Sequence, residues 1–196
     1  MIISFEGGEG VGKSTHVKIL CAHLEQHGLP WLSFREPGGS PFCEGIRGLF
    51  FHKGLDTITE LLLILASRRE NIVKQVLPAL EQGKVVIIDR FIDSTLVYQG
   101  VLGGLGIGRV RELMEKTETW IEPDLTFVLD VDPGHALKRI VPGDKFEERE
   151  PAFHQRLRQA FLDLATEARH CIIDADRPRD QVSNDILATV DRVLKL

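Results

Sequence analysis

The sequence predicts an α/β fold of three layers, a five-stranded parallel sheet flanked by helices on both faces. Three observations carry this. Short apolar runs alternate with longer segments of helical periodicity. The runs are apolar throughout rather than at every second residue, as in strands covered on both sides. A glycine-rich loop joins the first run to the first helical segment.

Ile2–Glu6 is the first strand, and Lys13–His27 is a helix closed by Gly28. Trp31–Phe34 is the second strand. Glu60–Gln82 reads as one long helix, with Pro78 near its end and Gly83 stopping it. Lys84–Ile88, reading KVVII, is the third strand, Leu125–Val131 the fourth and Cys171–Asp174 the fifth. Pro151–Arg169 sets Phe153, Leu157, Phe161, Leu164 and Ala168 on one helical face. Arg179–Leu194 does the same with Val182, Ile186, Val190 and Val193. No repeat or linker interrupts the pattern, so the 196 residues are expected to form a single domain.

An apolar content of 43% and a charged content of 27% are those of a globular protein in water. The formal charge of −5 argues against a protein that coats nucleic acid, although a few cations converging on one cleft would still hold phosphates. Cys21, Cys43 and Cys171 have neither metal-ligand spacing nor a disulfide framework, which fits a reducing compartment. The longest apolar run, Leu61–Ala66, falls far short of the roughly 20 residues of a membrane span. The N-terminus runs straight into the glycine loop, with no room for a signal peptide's apolar stretch. The expectation is a cytoplasmic protein with no membrane or nucleic-acid partner.

In parallel sheets ligands bind beyond the carboxyl ends of the strands. After the first strand, Gly7-Gly8-Glu9-Gly10-Val11-Gly12-Lys13-Ser14 matches the phosphate-loop pattern, and Thr15 extends it into the helix. Glycines let successive N–H groups turn inward around phosphate oxygens, and the helix dipole adds to the attraction. Lys13 reaches the β- and γ-phosphates of a nucleotide such as ATP, and the Ser14 hydroxyl suits Mg2+. Glu9 would repel a triphosphate if it pointed inward, so it is expected to point across the cleft, toward a second substrate's hydroxyl or an ammonium. After the third strand, Asp89 is placed to hold Mg2+ through water and Arg90 to clamp a phosphate, the alternative being a surface ion pair between the two.

Strand two ends in Arg35-Glu36-Pro37-Gly38-Gly39-Ser40, an irregular loop, where Arg35 and, further on, Arg47 are candidate phosphate ligands. Arg68 and Arg69 interrupt an apolar helix, so at least one must face the core side. The charged stretch at about 139–150 reads either as a lid that closes over a nucleotide or as an exposed linker.

Together these segments resemble the thymidylate kinase family over nearly the whole chain. Phe5 through Thr15 is similar to its phosphate loop, and Arg35-Glu36-Pro37-Gly38-Gly39 with Gly45-Ile46-Arg47 to its second conserved segment. Glu60 through Arg68 resembles its acceptor-site helix. Asp89-Arg90-Phe91, Ser94-Thr95 and Tyr98-Gln99-Gly100 resemble its most specific block, with Val97 where alanine is usual. Asp144-Lys145-Phe146-Glu147 resembles its lid, with lysine for arginine.

The resemblance implies a three-layer P-loop NTPase fold and transfer of the ATP γ-phosphoryl group to dTMP, with Mg2+ and a homodimeric assembly. The other readings open at this point are a kinase for another nucleoside monophosphate and a non-metabolic ATP-binding switch. The resemblance also implies roles. Arg68 would contact thymine, Arg35 and Arg90 the acceptor phosphate, and Glu9 the sugar 3′-hydroxyl. Tyr98 would fill the space of a 2′-hydroxyl, and Thr95 and Gln99 would line the pocket. Lys13 and Arg90 would stabilise the transferring group with a lid cation, for which Arg139, Lys145 and Arg149 are the candidates.

Two positions depart from the family pattern. Ile64 stands where a phenylalanine usually stacks on thymine, so aliphatic packing or another aromatic, such as Phe34 or Phe42, would replace it. Val141-Pro142-Gly143 stands where an arginine usually precedes the lid glycine.

Overall fold

The first apolar run becomes β1 (Ile2–Glu6), buried at every position. It lies at the centre of a wholly parallel five-stranded sheet of order β2-β3-β1-β4-β5. The other strands are β2 (Trp31–Arg35), β3 (Val85–Asp89), β4 (Leu125–Asp130) and β5 (His170–Asp174). The computed structural model describes residues 1–141 and 143–196. Register pairs Phe5 and Arg35 with Asp89, so β1, β2 and β3 end level and deliver Gly7, Glu36 and Arg90 to one edge.

Along the chain, α1 (Lys13–Gln26) follows the glycine loop and α2 (Pro41–Phe50) follows β2. α3 (Thr57–Asn71) runs through a π-helical turn, Ile72–Val76, into α4 (Leu77–Glu81). After β3 come α5 (Ile92–Thr95), a π-helical segment, Leu96–Leu102, and α6 (Ile107–Lys116). α7 (Pro133–Ala136) and a 3-10 turn, Leu137–Arg139, follow β4; α8 (Pro151–Leu164) and α9 (Arg179–Leu194) flank β5. One face of the sheet is covered by α1 and α9, through Val17, Leu20 and Leu24 and through Val182, Ile186 and Val190. Leu61 and Leu65 of α3, Ala79 of α4 and Val110 and Met114 of α6 cover the other. Each of the Val, Leu, Ile and Met side chains among them contributes about 1.5–3 kcal/mol of burial.

The elements differ from the sequence expectation where side chains rather than apolar periodicity set the ends. The long helix starts at Thr57, not Glu60, because the Asp56 carboxylate caps it by accepting from the N–H groups of Ile58 and Thr59. It is broken into α3, the π turn and α4 close to Pro78, which cannot donate to the helical ladder. α2 was not anticipated, although Ser40 caps it and Pro41 occupies its first position. α8 stops at Leu164, short of Arg169. Arg169 is held outside it by Asp93, Thr126 and Glu167. Among the described residues no helix is long and apolar enough to cross a membrane.

Candidate active site

The level ends of β1, β2 and β3 open onto one cleft of about 630 Å³. The phosphate loop forms one end. Gly10 and Gly12 have positive φ, and a Cβ at Gly10 would run into the Ala136 carbonyl, so the loop fits only as glycine there. Gly10, Val11, Gly12, Lys13, Ser14 and Thr15 line the cleft, whereas Gly7 and Gly8 lie beneath it and border a small secondary cavity. The carbonyls of Gly7 and Gly8 accept from Lys13 Nζ at 3.1 and 2.6 Å. Burial, and then the charge of Arg90, lower Lys13 to about 8 against the pull of Glu9, Asp89 and Glu6.

Ser14 Oγ donates to Asp89 Oδ2 at 2.6 Å, which joins the first and third loops. Asp89 and Arg90 are therefore not a surface ion pair. Arg90 turns the other way, with φ of 68°, and donates to the Gly7 carbonyl at 2.9 Å and to Glu9 Oε2 at 2.7 Å. Glu9 turns to Arg90 and to the Tyr98 hydroxyl, which donates to Oε1 at 2.6 Å. Burial alone would raise Glu9; Arg90, Lys13 and the Tyr98 hydroxyl bring it down to about 2. Glu9 is thus a fixed anion, neutralised within the protein. Burial works against the Arg90 charge, yet Glu9 and its other anionic neighbours hold it more firmly protonated than usual.

Arg35, Arg68, Thr95, Tyr98 and Gln99 line the other end of the cleft. Arg68, not Arg69, is the inward arginine: it is 1% exposed, and Arg69 is exposed. Its Nε donates to Glu36 at 2.7 Å, Nη2 to the Phe91 carbonyl and to Thr95 Oγ1, and Nη1 to Met114 Sδ. A guanidinium has five N–H groups, so one on Nη1 has no partner among the described residues. Glu36 is the acid that sequence reasoning passed over; burial raises its carboxyl and Arg68 opposes the rise. Its signal was an acid directly beyond a strand end, at the edge where ligands bind in parallel sheets. Glu6, at the end of β1, was also passed over. It accepts from the Phe91 N–H and from Ser94, and burial followed by Asp93 pushes it up.

Arg35 sits on the rim and donates to Glu44, and Arg47 donates to the Pro37 carbonyl. Gln99 is 1% exposed, its amide nitrogen donates to Glu60, and its Oε1 has no partner among the described residues. A buried acceptor left unpaired costs about 1–3 kcal/mol, which a donor on a bound molecule would recover.

Neither Phe34 nor Phe42 stands in for the aromatic missing at Ile64. Phe34 is buried in the core beneath the sheet edge, and Phe42 is 61% exposed on α2. Phe50 and the lid's Phe146 pack against Ile64 instead, with Phe146 edge-on to Tyr98 at 5.0 Å. Of the three candidate lid cations, Arg139 lines the cleft and donates to Asp176. Arg149 is exposed above the Phe153 ring and lines no part of the cleft. Lys145 is turned to Glu60 and the Phe50 carbonyl. Pro142 lies outside the described residues.

A phosphate loop that faces a second polar pocket across one cleft sets a phosphoryl donor beside its acceptor, which is the arrangement of a P-loop phosphotransferase. The family model for thymidylate kinase matches residues 5–186. A thymidylate kinase of Symbiobacterium thermophilum is 42% identical, over 99% of this chain and 94% of its own. One of Halothermothrix orenii is 40% identical, over 95% and 94%. The crystal structure of thymidylate kinase from Ehrlichia chaffeensis superposes with a TM-score of 0.80 at 33% identity, covering 97% of this chain and 98% of that one. The chain belongs to the thymidylate kinase family.

Proposed function

We propose that the chain transfers the γ-phosphoryl group of ATP to the phosphate of dTMP, giving dTDP and ADP. The observation that carries this is the unpaired, buried Gln99 Oε1 on the wall opposite the phosphate loop. A thymine ring offers a matching N3–H, and the remaining Arg68 N–H offers a donor to its O4. Tyr98, braced by Phe146 and Phe161, supports a deoxyribose and crowds a 2′-hydroxyl. Glu9 lies beside Tyr98 and suits the sugar 3′-hydroxyl. Arg35 and Arg90 suit the acceptor phosphate, with Arg90 closest to the phosphate loop.

The acceptor is already an anion, so the reaction needs alignment and charge neutralisation rather than a strong base. Lys13 and Arg90 supply fixed cations, and Arg139 is the lid cation best placed to join them. Ser14 Oγ and Asp89 form a pair of hard oxygen donors that fits Mg2+. Bound there, Mg2+ would neutralise charge on the phosphates. The chain is read as a single domain with a lid at about 139–150. It is read as a homodimer too, paired through the helix containing Leu61–Leu65 or the helical segment after Asp93; Leu61 and Leu65 themselves are buried in the core, which leaves Ile58 and Leu62 of α3, or Val101 after Asp93, for the contact.

The test is ADP release across a panel of nucleoside monophosphates with Mg·ATP. Strong preference for dTMP is expected. Absence of dTMP-dependent ADP release, or equal turnover of a purine monophosphate, would overturn the reading.

A further inference from the structure

Glu60 sits in the first turn of α3, does not line the cleft, and yet meets it from two sides. Its Oε2 accepts from Gln99 Nε2 at 3.2 Å. Its Oε1 accepts from Lys145 of the lid, whose ammonium also donates to the Phe50 carbonyl at 2.7 Å. The side chains are nearly enclosed, with Glu60 at 14% and Lys145 at 9% exposure. A carboxylate only accepts, so the Gln99 group that faces it must be the NH2. The oxygen of that amide is thereby turned away from Glu60, and it is the buried atom without a partner. Lys145 is followed by Phe146, which lines the cleft against Tyr98 and Phe50. The bond that ties Lys145 to Glu60 therefore also sets the ring of Phe146.

We propose that Glu60 is a positioning residue for base selection: one carboxylate oxygen fixes the Gln99 amide with its acceptor toward the base, while the other holds the lid's Lys145 so that Phe146 covers the same pocket. The pocket then accepts a base that presents a ring N–H and rejects one that presents a ring acceptor or a blocked nitrogen. The proposal rests on the reading of this end of the cleft as the dTMP pocket.

Glu60→Gln is nearly isosteric and separates the two contacts. Its single oxygen can serve Lys145 or Gln99 but not both. With the oxygen on Lys145, the new NH2 faces Gln99, whose amide then reverses and presents NH2 to the base.

The experiment measures equilibrium binding of dTMP and of N3-methylated dTMP to wild type, Glu60→Gln and Glu60→Met. Mg·ATP binding and circular dichroism serve as checks of the fold. Wild type is expected to prefer dTMP by about ten- to a hundredfold, the loss of one buried hydrogen bond. Both variants are expected to bring the ratio within about threefold. A site that was merely loosened would weaken both ligands together and leave the ratio unchanged, and that result in folded protein would overturn the proposal. Equal binding of the two ligands by wild type would overturn it without any variant. Wild type that binds no dTMP at all would instead overturn the reading of the pocket.

Discussion

The Arg68–Glu36 pair is a sharp place to perturb this protein. Both side chains are almost wholly enclosed, at 1% and 3% exposure, and Nε lies 2.7 Å from the carboxylate. Arg68→Met removes the cation and leaves Glu36 in a site where, among the described residues, only the Asn71 amide, at 3.5 Å, still faces it. Breaking a buried pair on one side costs about 3–5 kcal/mol, whereas removing both charges together is close to neutral. A domain of ordinary stability has about 5–15 kcal/mol in all, so the single variant should be visibly weakened but foldable. Arg68→Met is therefore expected to lose about 3 kcal/mol or more, and Arg68→Met with Glu36→Gln to recover at least about half of that.

Acid dependence gives a second reading of the same variants. Without Arg68, burial raises Glu36 unopposed by that charge. An acid whose folded-state pKa is raised binds protons more tightly when folded, so stability falls as pH rises through that window. The deficit of Arg68→Met should be largest near neutrality and smaller at acid pH. Urea unfolding followed by circular dichroism at several pH values measures all three proteins. A loss below about 1 kcal/mol, or a double variant no better than the single one, would refute the argument that Arg68 is first an internal counter-ion.

Lys13→Ala is expected to lower turnover by at least about a hundredfold in a folded protein, and full activity would contradict its place in the phosphate loop. Because Lys13 lies at about 8, kcat/KM for ATP should decline above that pH as the cation is lost, with kcat holding to higher pH because a bound triphosphate favours the charged form. A flat kcat/KM profile to about pH 10 would count against this assignment. Tyr98→Ala should narrow the preference for dTMP over its ribose counterpart, which crowding and lost hydrogen bonding set at about 1–3 kcal/mol. An unchanged ratio of kcat/KM would remove Tyr98 as the sugar selector. Sedimentation is expected to find a dimer at micromolar concentration, and Leu62→Glu, at a 56% exposed position, should favour the monomer.

The five strands, their parallel sheet and the edge that carries the cleft were legible because they rest on local signals, whereas the strand order was not. KVVII, short, β-branched and preceded by Gly83, reads as a covered strand, and the glycine pattern after β1 points to the edge that binds phosphate. Partnerships were less legible, because they are made across the fold. Asp89 and Arg90 are adjacent in sequence, yet their partners Ser14 and Glu9 come from a loop some eighty residues earlier. The same holds for the aromatic near Ile64. Local reading offered Phe34 and Phe42, but β2 turns Phe34 into the core and α2 turns Phe42 outward. Phe146 arrives from the lid, and no periodicity announces it. Glu60 was readable as part of a helix but not as the link between Gln99 and Lys145, since its two partners lie far from it and from each other along the chain.

The distribution of charge follows from the same geometry. The chain carries a formal −5, yet along the cleft wall the cations outnumber the acids. Lys13, Arg35, Arg47, Arg90, Arg139, Arg177 and Arg179 converge there from the ends of β1, β2 and β3 and from the segments after β4 and β5. The acids there all have donors within the protein: Glu9 has Arg90, Glu36 has Arg68, Asp89 has Ser14, Asp144 has the N–H groups of Phe146 and Glu147, and Glu147 has the Gly143 N–H. Walls of low dielectric focus that field, so an acidic protein presents a cationic cleft to anions. A carboxylate inside the phosphate loop is tolerated for the same reason. Glu9 is turned to a guanidinium and a tyrosine hydroxyl, so its charge is cancelled there instead of facing the glycine loop.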